Sequence, residues 1–158
     1  MDSNENTIDK EMFLGDILRI FRETFEGSPS GEGSIYLDHG VGVFSSLAEI
    51  SSERASRDIR GTTLAAQVEH TKFYIDRLLE YIDGTEIEVN WELSWLITSV
   101  NPIEWDTLRA GIRVSYDNAM KKLLTIEKWN SENAGEAMAI VVHTAYHFGS
   151  IRQVLKHI

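Results

Sequence analysis

The chain has 158 residues, 25 acidic and 15 basic side chains, a formal charge of −10 and no cysteine. That length suits one domain, residues 1–158, with enough chain to bury a core without disulfides. The charge argues against nucleic acid and anionic membrane as partners. The missing thiol excludes a disulfide scaffold, a cysteine nucleophile and a zinc–thiolate site.

Only 2 prolines occur, Pro29 and Pro102, so long helices are open to this chain. From Ile8 to Phe25, apolar residues fall at Ile8, Met12, Phe13, Ile17, Leu18, Phe21 and Phe25. Steps of three and four are the mark of one helix face. Gly27 and Pro29 close that helix. The stretch from Gly31 to Gly61 is rich in serine and glycine. It reads as a long connection with one or two short helical turns, one of them after Ser51 or Ser52. A second long helix opens at Thr62 or Thr63 and runs to about Ile82, where Asp83-Gly84 ends it.

Glu86 to Ser99, with Trp91 and Trp95, reads as a short helix or an irregular link. Asn101-Pro102 starts a third helix that reaches about Glu127. The fourth spans about Asn133 to His157. Its stretch from Ala137 to Phe148 is apolar on nearly every side, which predicts a central helix buried all round. Alternating strand patterns are missing. The expected fold is all-α, a four-helix bundle with one long crossover connection. No apolar run is long enough to span a bilayer. The polar, acidic start from Met1 to Asn6 lacks the features of a signal peptide, so the expected location is cytoplasmic.

His143 and His147 lie four apart in the fourth helix. That spacing stacks both rings on one helix face, with Cβ atoms roughly 5–6 Å apart. Two such imidazoles can reach one ion with bonds of about 2.0–2.1 Å. Random placement of 5 histidines in 158 residues gives on the order of 0.1 such pairs. By itself the pair is read either as metal ligands or as core histidines bonded to backbone or tyrosine. Their apolar neighbours Ile140, Val141, Val142, Phe148 and Ile151 mean that the rings need partners. His70, in the middle of the second long helix, is the candidate third ligand. Three histidines leave a coordination position open, as in a catalytic zinc site. His39 reads as a loop residue, and His157 as a favourable partial charge at a helix C-terminus.

The string from His143 to Gln153, HTAYHFGSIRQ, resembles the last-helix signature of the DinB/YfiT-like superfamily. The stretch Glu69-His70-Thr71-Lys72-Phe73 is similar to that family's second-helix signature, and the segment from Trp91 to Trp105 to one of its branches. The resemblance implies a four-helix bundle holding nickel or zinc on His70, His143 and His147. It also implies a homodimer. The expected activity is that of a metal-dependent enzyme on a small-molecule substrate, using a low-molecular-weight thiol as an S-transferase does. The alternatives are a hydrolase using a metal-bound hydroxide and a non-catalytic bundle that holds a metal or ligand. Where the family carries Arg-Gly after the second ligand, this chain has Phe148-Gly149, and Arg152 is the candidate replacement for binding an anion.

Trp91, Trp95 and Trp105 read first as core aromatics, with a substrate wall near the metal as the alternative. Glu136, two turns before His143, reads as a first-turn carboxylate or as a base near the metal. Tyr74 and Tyr146 read as core tyrosines or as donors to a bound oxyanion.

Overall fold

The structure, a computed structural model, describes residues 10–31, 33–85 and 88–158. Among these, six α-helices and one 3-10 turn form, and no strand. Four of the helices are long: α1 (Lys10–Glu26), α4 (Leu64–Ile82), α5 (Pro102–Thr125) and α6 (Ser131–Leu155). Two are short, α2 (Val43–Leu47) and α3 (Ser52–Ala55), and both lie in the crossing from α1 to α4. The expected start of α1 at Ile8 lies outside the described residues, as do Glu86 and Ile87.

Local chemistry explains the boundaries. Thr63 caps α4 by accepting the Ala66 N–H at 3.1 Å. Asn101 and Glu104 form a reciprocal capping box at α5, with Pro102 in the first turn. Asn130 caps α6 three residues before the expected start, and Asn133 answers it by accepting the Asn130 N–H at 2.9 Å. The cap over Ser51 starts α3.

The core joins Phe21 and Phe25 of α1, Val68 and Ile75 of α4, Trp105 and Ile112 of α5, and Ile140, Phe148 and Ile151 of α6. The α4 helix packs against both α5 and α6, and α1 against the same two. The crossing returns tightly onto the end of α1: a Cβ on Gly42 would lie 2.5 Å from the Gly27 nitrogen, so only glycine fits there. A carboxylate also ties the crossing down. Glu23, 4% exposed, accepts the backbone N–H groups of Ile35, Tyr36 and Leu37 at 2.7, 2.9 and 2.8 Å. Burial alone would raise its pKa, but these donors and Arg19 pull it below the ordinary value.

The expectation that α6 is buried all round is wrong. Met138, Val142 and Tyr146 form one exposed stripe, with Val142 at 67% and Tyr146 at 71%. The reason is that α6 packs against α4 and α1, which leaves its third side uncovered. Among the described residues, no helix is long and apolar enough to cross a membrane.

Candidate metal centre

The inner face of α4 interrupts its apolar stripe with Gln67, His70 and Tyr74, spaced three and four apart. Facing them on α6 are His143 and His147. Gln67 meets His147 and Tyr74 meets His143, so the two helices run in opposite directions through the site. The 3-10 turn Trp91–Trp95 lies over α4 and supplies Ser94 and Trp95.

These contacts fix where the protons lie. Ser94 Oγ donates to the Trp91 carbonyl at 2.6 Å, so its hydrogen is committed there. His70 Nδ1, 2.7 Å from the same oxygen, must therefore be the donor. Gln67 gives its Nε2 to Thr62 Oγ1 at 3.0 Å and turns Oε1 to His147 Nδ1 at 2.9 Å. His147 Nδ1 therefore donates as well. Both rings keep Nδ1 protonated, which leaves Nε2 as the lone-pair nitrogen, the arrangement that outer partners impose on metal-bound histidines. His143 differs: its Nδ1 is buried and has no hydrogen-bond partner among the described residues.

The donor set fits a divalent ion. His70 Nε2 and His143 Nε2 are 3.2 Å apart. Two nitrogens each about 2.0–2.1 Å from one tetrahedral ion are roughly 3.3–3.4 Å apart. One ligand atom from each of His70, His143 and His147 lies within 4.8 Å of the others. His70, His143 and His147 lie close enough to bind one metal ion.

Electrostatics agree with that set. Burial, then the neighbouring His147 and His70, push the His143 pKa down to about 3. Burial and His70 push His147 down to about 4, and burial alone lowers His70. All three rings are neutral near pH 7, as metal ligands must be.

The rings are walled by aromatics. Trp95 stacks on His70 with centroids 3.9 Å apart, and Tyr74 stacks on His143 at 3.5 Å. Trp91 leans on Tyr74 at 5.4 Å, and Tyr146 sets its ring perpendicular to His147 at 5.0 Å. The first reading of Trp91 and Trp95 as core residues is thereby corrected: they are 39% and 41% exposed, Trp95 on His70 and Trp91 on Phe73 and Tyr74. The α4 surface beneath them is already filled by His70, Phe73 and Tyr74, so the indoles lie on top. Trp105 is the core residue expected, and it donates its indole N–H to the Ile50 carbonyl at 2.7 Å.

His39 lies in the crossing, with Nδ1 2.8 Å from Ser28 Oγ, and His157 is exposed just beyond α6. The Arg152 guanidinium is engaged by Asp38 at 3.1 Å, and Phe148 is buried in the core. Glu136 makes no hydrogen bond to a histidine among the described residues, and its pKa is raised by burial and by Glu132. Burial and the charge of Glu136 raise the Tyr74 pKa, so its phenol stays protonated. Gln67 and Ser94 were missed. Gln67 stands one turn before His70 on the same face and was readable from that spacing. Ser94 lies 24 residues from His70 and carries no such mark.

Comparisons with family models, with curated proteins and with solved structures return no match to this chain, so the reading of the three histidines stands on their geometry.

Proposed function

We propose that this chain is a DinB/YfiT-like four-helix bundle that binds a divalent ion, nickel or zinc, on His70, His143 and His147, and acts as a metal-dependent enzyme on a small molecule. The observation that carries the reading is the pair of Nε2 lone pairs, held by Ser94 and Gln67, beside a third neutral imidazole. The His143 ring can offer one proton, across 3.2 Å to His70 Nε2, so the clustered lone pairs outnumber the protons between them unless a cation receives them. Bound there, a divalent ion supplies Lewis acidity and lowers the pKa of a water or thiol that joins it.

The chain's own groups divide the remaining work. Ser94 and Gln67 hold two rings in the donor tautomer. Trp95 and Tyr74 exclude water from the ring faces. Trp91, Trp95 and Tyr146 offer an aromatic, uncharged rim that suits an apolar substrate body. Since the chain has no cysteine, a thiol reaction needs an external low-molecular-weight thiol. We further read the protein as a cytoplasmic homodimer, in line with the family resemblance.

The test is thiol consumption by zinc- or nickel-loaded protein with an aromatic electrophile. The reading expects a rate above buffer that needs both metal and thiol and vanishes in His143→Ala/His147→Ala. A rate equal to buffer for every thiol tried would sink the S-transferase reading. Turnover of an activated ester without thiol would turn it to a hydrolase.

One observation favours a second reading, a bundle that holds metal without catalysis. His70 is 8% and His147 6% exposed, and aromatic rings cover both His70 and His143. A bound metal with no exchangeable ligand would decide for it.

A further inference from the structure

A cavity of about 410 Å³ opens between α4, α5 and the link from Ile97 to Val100. Its size falls within the range of small-molecule sites, about 300–1,000 Å³. Ile97, Val100, Ile103 and Leu108 give it apolar walls. Glu69 lies in the α4 wall. Glu69 precedes His70 directly and so points about 100° away round the helix, onto a different face from the metal centre.

The ionisable groups around this cavity are not equally satisfied. Glu104 accepts the Asn101 N–H at 2.8 Å and is part of the α5 cap. Lys72 gives its ammonium to Asp76 at 2.9 Å, and its stem crosses α5 at Gly111, where a Cβ would lie 3.0 Å from Lys72 Cε. A glycine inside a helix is unfavourable relative to alanine, and here it makes room for that stem. Glu69 is left over. Among the described residues, no hydrogen bond or ion pair at contact distance reaches its half-buried carboxyl. Two carboxylates and one already engaged ammonium make the cavity a place for a cation, within a chain of net charge −10.

We propose that this cavity is a ligand site separate from the metal centre, and that its ligand is an apolar primary ammonium. The ammonium head sits on the Glu69 carboxylate, and the aliphatic body lies against Ile97, Val100, Ile103 and Leu108. An ionised donor on an ionised acceptor gives the stronger class of hydrogen bond, and the apolar walls supply the rest.

The test compares hexylammonium, hexanol and hexanoate by calorimetry and by ligand-observed NMR on the full chain. Both zinc-loaded and chelator-treated protein are used, because an amine could also bind a metal. The expected result is saturable binding of one hexylammonium per chain, at least about tenfold tighter than hexanol, with hexanoate weaker still. Glu69→Gln should bring hexylammonium to the level of hexanol. Thr107→Trp, a change at an exposed residue on the cavity rim, should abolish binding of all three. Affinity should be the same with and without metal. The proposal is overturned if hexylammonium does not saturate, if it binds no tighter than hexanol, if Glu69→Gln binds it equally well, or if chelation removes the binding. The ligand comparison on the unaltered chain decides the matter even where a variant folds poorly, and its outcome is independent of whether the histidines hold a metal.

Discussion

Glu23 and the three histidines are all polar groups inside the same helical core, but they are satisfied in different ways. Glu23 accepts three backbone N–H groups, two on one oxygen and one on the other, and these hold the crossing loop to α1. Its partners all come from the chain itself. The histidines use the chain on one side only: Nδ1 of His70 and of His147 have acceptors, and the inward nitrogens face one another. A polar group with every partner supplied by the fold is part of the scaffold. A cluster whose lone pairs converge with too few protons to join them is built for a cation from outside.

The largest expected effect falls on the scaffold side of this contrast. Glu23→Ala leaves three backbone donors without an acceptor, at roughly 1–3 kcal/mol each before the loop relaxes. A loss of about 3–5 kcal/mol in denaturant unfolding is expected, with metal binding retained. The histidine side should behave the opposite way. Zinc at about 100 times its Kd should stabilise the parent by roughly 2.7 kcal/mol, or about 5–10 °C in melting temperature for a protein of this size. Glu23→Ala should show the same increment, and His143→Ala/His147→Ala none. If the double variant gained as much as the parent, the two regions would not differ as argued.

Acid sharpens the comparison further, measured on chelator-treated protein. The histidines have folded pKa values below the ordinary 6.5, at about 3 for His143 and about 4 for His147. The unfolded chain therefore takes up protons first. Their contribution is present above pH 6.5 and is lost as the pH falls towards those values. Glu23 is lowered from 4.5, so its contribution holds above that value and is lost below it. Stability against pH should fall in two stages. The double histidine variant should flatten the upper one, and Glu23→Gln the lower. The smallest effect belongs to the outer partners. Ser94→Ala and Gln67→Ala should each weaken zinc binding by about 10–100-fold, read by competition with a chelator, without changing the helical content.

Much of the helical order was legible in the sequence, because periodicity and caps are local. The stripe from Met12 to Phe25 and the caps at Thr63 and Asn101 mark helices close to those observed. The spacing of His143 and His147, with His70 opposite, also pointed to the three residues that come together. What escaped depends on contacts between distant segments. An apolar helix is buried only if neighbours cover it, and nothing local in α6 says that its Met138–Val142–Tyr146 side is left bare. The donors to Glu23 lie 12 to 14 residues away in an irregular crossing. Trp91 and Trp95 look like core residues until the turn that carries them is seen to lie over His70 and Tyr74.

The most direct test of the central claim is the metal content of tag-free protein after exposure to nickel or zinc and removal of free ions, set beside His143→Ala/His147→Ala. About one divalent ion per chain in the parent, and none in a variant that circular dichroism shows to be still helical, is the predicted result. A parent that retains no metal, or a variant that retains as much, would contradict it and make the three histidines core residues only.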